Sequence, residues 1–290
     1  MQQQRGDIVA SYDTLKKEQR LAERLGRTET VDYLGSRHAE AILLMGFGEY
    51  VEAQAIIESI VMRWSALSGE ESVPVWLSHS RGVLMHRFGD LEGAQRELAG
   101  AARRARAQDS VERAFNIELA LTRVLLELGR TDEAERLLTS IEAAGPPRTV
   151  RSSLVTTMTV RAELLRAQRA LAEATQVIDT ELAAIGFPTA RASAPLALAL
   201  RVAARVQLAS DKASGAQRAA EALAVSERVA RDPAKSADVG EALLLLAQAQ
   251  RLTGQTAASA ANAKRAAQSL AGGLGDAHSL AREARLLAGS

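Results

Sequence analysis

The chain has no cysteine. Structural disulfides, thiolate nucleophiles and cysteine-type zinc sites are therefore excluded. That absence suits cytoplasm and periplasm alike, so it does not fix a compartment. Aromatic residues make up only 3% of the sequence. No apolar run approaches the ~20 residues a membrane helix needs. The opening stretch MQQQRGDIVASYDTLKKEQRLAERLG lacks the apolar core of a signal peptide. It reads as a helix entered without preamble, and leads us to expect a chain cut from a longer protein. An excess of one charge is missing too. With 36 basic and 35 acidic residues the net charge is +1, which gives no bulk attraction to nucleic acid or membrane. Strand signals are nearly absent: there is no alternating Val/Ile/Thr/aromatic run and no Asn-Gly hairpin. Enzyme motifs are also missing. Neither a Gly-x-Gly-x-x-Gly, a phosphate-binding Gly-x4-Gly-Lys-Ser/Thr, a Gly-x-Ser-x-Gly, a His-Arg-Asp nor an Asp-Phe-Gly occurs. The chain reads as non-catalytic and needs no cofactor.

What is present is helical. Hydrophobic residues reach 47%, mostly Ala, Leu and Val mixed with Glu and Arg, the profile of packed helices. Only five basic residues are lysines (Lys16, Lys17, Lys212, Lys235 and Lys264), a bias of the kind GC-rich bacterial genomes produce. Helical periodicity is interrupted by short breaks, among them Gly48, Gly89, Gly129, Gly145-Pro146-Pro147, Gly254 and Gly272-Gly273. The breaks repeat. FGEYVEA at 47–53 matches FGDLEGA at 88–94 and LGRTDEA at 128–134. The series continues with weaker copies anchored at Arg169, Asp211 and Gly254, spaced 40 to 43 residues apart. Five residues after each anchor stand Ala53, Ala94, Ala134, Ala174, Ala216 and Ser259. Seven before stand Ala41, Gly82, Thr122, Ala162, Ala204 and Ala247. Tight reversal needs a residue tolerant of positive φ, and close helix axes need small side chains. A period near 40 then marks stacked helical hairpins.

These residues carry a resemblance. Small at −7, Gly at 0, Tyr50 at +2 and Ala at +5 resemble the tetratricopeptide (TPR) repeat. The usual TPR period is ~34; the longer one here is similar to the kinesin-light-chain type. GLGDAHSLAREARLL at 273–287 resembles that type's Leu-Gly-x-x-His signature. HEAT-like pairs share the period and stay as the lesser alternative. The resemblance implies an all-α, right-handed superhelical solenoid of antiparallel helix hairpins, one domain over 1–290. We expect hairpins at 31–68, 73–107, 110–144, 147–184, 189–231 and 234–272, with flanking helices at 5–25 and 276–288. It also resembles the C-terminal regions of bacterial Ser/Thr kinases and the sensor domain of maltose-regulator-type activators. Two functions follow as expectations. The first is a protein- or peptide-binding scaffold in a signalling protein, cytoplasmic or periplasmic. The second is a small-ligand sensor of a transcriptional activator.

In such arrays the first helix of each hairpin lines a concave groove. The resemblance then implies a partner site of His38, Trp76, His79, His86, Arg87, Asn116, Arg123, Glu163, Arg166, Arg201 and Arg205. Arginine pairs with carboxylates through a planar fork, so a peptide with acidic residues or a free C-terminus fits. Histidine contacts would make binding pH-dependent between about pH 5 and 7. A shared metal does not fit, because equivalent residues on adjacent repeats lie ~10 Å apart and zinc ligands stand at ~2 Å. The arginine-rich AARRARAQ at 101–108 ends a second helix, where cations favour the C-terminus. With no aromatic residue interleaved, it argues against nucleic acid. Trp64 reads as packing.

Overall fold

The structure is a computed structural model that describes residues 8–69, 72–145 and 151–289, with the side chains of 151–154 outside the description. Residues 5–7 of the expected first helix, Pro146-Pro147 and the start of the expected fourth hairpin also lie outside it. The described residues form fourteen α-helices, one 3-10 turn at Pro233–Lys235 and no strand. The helices are α1 (Ile8–Arg24), α2 (Val31–Phe47), α3 (Tyr50–Ser68), α4 (Val75–Arg87), α5 (Leu91–Ala107), α6 (Val111–Glu127) and α7 (Thr131–Ala144). They continue as α8 (Arg151–Ala167), α9 (Leu171–Ala184), α10 (Ala194–Leu208), α11 (Lys212–Val229), α12 (Ala237–Leu252), α13 (Thr256–Leu274) and α14 (Ser279–Gly289). Consecutive helices pack as antiparallel pairs, and the even-numbered helices from α4 to α12 also touch one another.

Local chemistry explains the hairpins. Gly48 sits at φ 81° and its amide closes the last turn of α2 onto the Leu44 and Met45 carbonyls. That is the left-handed C-terminal cap glycine favours. Arg169 takes the same role at φ 65° without being glycine, a strained position for a side chain bearing Cβ. Ala53, Ala94, Ala134 and Ala174 are fully buried where the helices of each pair meet. Ser259 in the same slot donates its hydroxyl to the Ala247 carbonyl at 2.7 Å, joining the two small columns across the hairpin.

Three expectations are corrected. In the fifth pair the buried small residue is Gly215, not Ala216. A Cβ on Gly215 would come within 2.6 Å of the Leu208 amide nitrogen. Asp211 is the N-cap of α11, accepting from Ala213 N at 3.0 Å, rather than a left-handed turn residue. And Gly272-Gly273 does not break a helix: α13 runs through both and ends before Gly275, at φ 89°. Their smallness has another use, described next.

Candidate functional site

The first hairpin meets the sixth. Gly48, the turn between α2 and α3, accepts a hydrogen bond from the Ala237 amide at 2.9 Å. A Cβ on Gly48 would reach Ser236 Oγ at 2.6 Å, and one on Gly273 would reach the Gly48 carbonyl at 2.8 Å. Gly273 is thus glycine because three backbones converge there. Arg231 bridges to Glu49, whose side chain is buried, and to Glu52 at 3.4 Å. Arg231 also stacks over Tyr12 at 4.6 Å. One apolar cluster runs across this seam, joining Leu44, Phe47 and Ile57 to Leu243, Leu270 and Leu274. The array therefore closes on itself.

Closure assembles an ionic knot. Asp238 and Glu241 on α12 face Arg87 from α4 and Arg201 from α10. Arg87 donates to Glu241 at 2.5 Å and to Asp238 at 3.3 Å. Arg201 donates to Asp238 at 3.0 Å and lies 3.4 Å from Glu241. Tyr50, buried on α3, donates its hydroxyl to Asp238 at 3.2 Å, and Arg87 lies over its ring at 4.4 Å. Burial pushes the Glu241 carboxyl up, but Arg87, Arg201 and Arg205 outweigh it and hold Glu241 well below the usual carboxylate range. Burial likewise drives the Tyr50 phenol far above its ordinary value. Among the described residues, the buried Nε atoms of Arg87 and Arg201 have no hydrogen-bond partner. Such a knot stays charged because every member has an opposite neighbour.

Next to it runs a ladder of equivalent positions, six before each anchor. Arg123 on α6 bridges Glu163 on α8 at 2.9 Å, 40 residues away. Burial pushes Glu163 up, yet Arg123 and Arg205 keep its carboxyl low. Arg205 follows on α10. Its nearest carboxylate oxygen is Glu241 Oε2 at 3.7 Å, and it hydrogen-bonds to no described residue. Burial lowers the Arg205 pKa, with Arg201 and Arg123 adding to the effect against Glu241 and Glu163. Beside the ladder, α4, α6, α10, α12 and α14 line a cavity of about 380 Å³. Its wall carries Arg87, Arg123, Arg205, Glu127 and Glu241, and its apolar floor Leu244, Leu245 and Leu274. His86 bridges Glu127 at 2.9 Å on the rim. The α14 segment closes one side. There His278 Nε2 donates to the Arg87 carbonyl at 3.1 Å while Nδ1 accepts from the Leu280 amide at 3.3 Å. Both ring nitrogens are used, so His278 is a neutral clip, and burial lowers its pKa.

A different cluster forms where α2 and α4 begin. His38 Nε2 pairs with Ser80 Oγ at 2.8 Å, and its ring lies 4.3 Å from that of Trp76. Trp76 meets Trp64 edge-on at 5.5 Å. His38 and His79 carry pKa values lowered to about 4, first by burial, then by Arg113 and, for His38, by His79. Both are neutral at pH 5 to 7, so the pH window expected for them moves lower.

The eleven residues expected on one groove thus divide. His38, Trp76 and His79 form the neutral cluster, while Arg87, Arg123, Glu163, Arg201 and Arg205 belong to the knot and ladder, with His86 at the rim. Asn116 and Arg166 are exposed. Asp238, Glu241, Glu127 and His278 were missed. Glu241 stands thirteen before Gly254, in the column that holds Trp76 and Asn116, so the repeat register contained that signal. The contacts of Asp238 and His278 come from closure, which no repeat pattern encodes.

No protein-family model matches the chain, and no curated protein matches it. Solved structures do. A tetratricopeptide repeat protein from Parabacteroides merdae is similar at TM-score 0.53 and 13% identity, covering 100% of this chain and 95% of that one. The Cut9–Hcn1 structure of the APC/C is similar at TM-score 0.56 and 14% identity, covering 90% of this chain and 45% of that one. At such identities the likeness is one of fold: the chain is an all-α, TPR-like solenoid.

Proposed function

We propose that the chain is a non-catalytic protein- or peptide-binding scaffold that recognises its partner on the inner face of the array. The observation that supports this is the stacking of the even-numbered helices from α4 to α12, the helices that in such arrays face the groove. On these helices Asn116 and Arg166 are exposed, and Trp76 and His79 half-buried. Arginine favours acidic side chains or a free C-terminus. Trp76 supplies an apolar anchor of the kind that dominates binding energy. The resemblance to kinase-linked repeats supports placing such a scaffold in a bacterial signalling protein, as the C-terminal region of a Ser/Thr kinase.

Fluorescence anisotropy with acidic and neutral ten-residue peptides, each with a free or amidated C-terminus, tests the reading. Acidic or free-acid peptides should bind, and Arg166→Glu should weaken them. Equal binding of all peptides, or none, would overturn it. The coding sequence upstream of Met1 tests the kinase context separately.

A further inference from the structure

Beyond partner recognition, we propose that the cavity between α4, α6, α10, α12 and α14 is a second site, for a small organic monocarboxylate with a short apolar body, held by Arg205. The argument starts from an imbalance of pairing. Around this cavity every arginine but one has a carboxylate within hydrogen-bond distance. Arg87 takes Glu241 at 2.5 Å. Arg123 takes Glu163 at 2.9 Å. Arg205 has only Glu241 Oε2 at 3.7 Å, an oxygen that also faces Arg201 at 3.4 Å. Its guanidinium carries five donors in a planar fork, and it sits on the wall of a cavity of about 380 Å³, within the size range of small-molecule sites. A guanidinium whose donors are left unfilled in the free chain is available to a ligand of opposite charge.

The charge count selects the ligand. The lining holds three arginines (Arg87, Arg123, Arg205) and three carboxylates (Glu127, Glu241, Glu283). Arginines and carboxylates balance there; His278 is neutral and His86 is paired with Glu127. One added negative charge meets the unfilled donors of Arg205; a dianion such as phosphate meets three carboxylates as well. A carboxylate also matches the guanidinium fork in two parallel hydrogen bonds. Leu244 and Leu245 on α12 and Leu280 on α14 give the apolar part a surface. The ligand would touch the sixth repeat and α14 together with α4 from the second. Its binding should therefore stabilise closure by linkage.

Calorimetry and thermal unfolding of the full chain test this, with 4-methylpentanoate as the probe. Its amide, inorganic phosphate and a ten-residue leucine-ending peptide with a free carboxylate serve as comparisons. The free acid should bind one per chain and raise Tm, while the amide and phosphate bind at least tenfold more weakly. Arg205→Gln should cut the affinity at least tenfold and lower the Tm of the free chain far less than Glu241→Gln does. A purely structural Arg205 would lower that Tm with no loss of the acid's affinity. No binding of the acid, binding equal to the amide, or undiminished binding by Arg205→Gln overturns the proposal. Binding of the peptide alone overturns it too, assigning the carboxylate to a chain terminus. The Arg166→Glu peptide measurement reads partner recognition independently, so either reading can fail without the other.

Discussion

The two ends of the inner face handle buried ionisable groups in opposite ways. On α2 and α4, His38 and His79 are enclosed near Trp76 with no carboxylate partner among the described residues, and their pKa values fall to about 4. At the seam, Arg87, Arg201, Asp238 and Glu241 are enclosed together and keep their charges through ion pairs of 2.5 to 3.4 Å. Burial alone neutralises a group whose ordinary pKa is near 6.5, whereas it forces a guanidinium to find a partner. The neutral end therefore depends on pH, and the ionic end on completeness. Each can be broken by its own perturbation.

The largest effect should come from Glu241→Gln. It removes the carboxylate that Arg87 and Arg201 share, leaving two buried cations with Asp238 alone. Breaking a buried pair costs ~3–5 kcal/mol, so the urea midpoint should fall sharply. A loss below 1 kcal/mol would show that the knot is solvated. Acid should act next, at the other end. The folded chain keeps His38 and His79 neutral down to about pH 4, while the unfolded chain protonates them near pH 6.5. Stability is thus fully present above about pH 6.5 and falls as pH drops toward 4. At ~1.4 kcal/mol per pKa unit, each of the two histidines should account for about 3.5 kcal/mol. His38→Gln with His79→Gln should flatten that slope. An unchanged slope would place the acid sensitivity elsewhere.

The contrast also separates what a sequence shows from what it hides. Gly48 and Ala53 announced a hairpin because one turn and one close contact are local demands, met within seven residues. The inner columns were legible for the same reason: Arg123 and Glu163 are neighbours because the repeat is regular. Gly273 was misread as a break. Its demand comes from Gly48 and Ala237, brought to it only when the array closes. Arg87 and Arg201 looked like free groove arginines, because their carboxylates sit on α12, which reaches Arg87 only across the seam. The Asp211 misreading is smaller in kind, since a helix N-cap and a left-handed turn both favour Asp.

Gly273→Ala tests closure itself. The added methyl would press on the Ala237 amide and the Gly48 carbonyl, and overpacking costs ~1–3 kcal/mol. Amide exchange should quicken at Ala237, whose hydrogen bond to Gly48 joins the ends, while amides of α6 and α7 keep their protection. Equal loss of protection throughout would mean that seam and middle repeats unfold as one unit. Exchange at Ala237 as slow as in the parent chain would mean that the seam tolerates the methyl.

Arg166→Glu should have the smallest effect on stability and so give the cleanest reading of function. Arg123 is unsuitable for charge reversal: an acid there would face Glu163, which sits 2.9 Å from it. Any lost binding would then mix with lost folding. Arg166 is exposed on α8, one turn from Glu163 in the chain and away from the knot. Exposed substitutions of this kind stay within ~0.5 kcal/mol, so the urea midpoint should not move. Acidic-peptide affinity should fall, and fall most at low salt, because an exposed charge acts through a screened field with a Debye length of ~10 Å at 0.1 M. A loss that does not depend on salt would point to direct pairing with Arg166. Unchanged affinity at every salt concentration would take recognition off α8 and toward the cluster around Trp76.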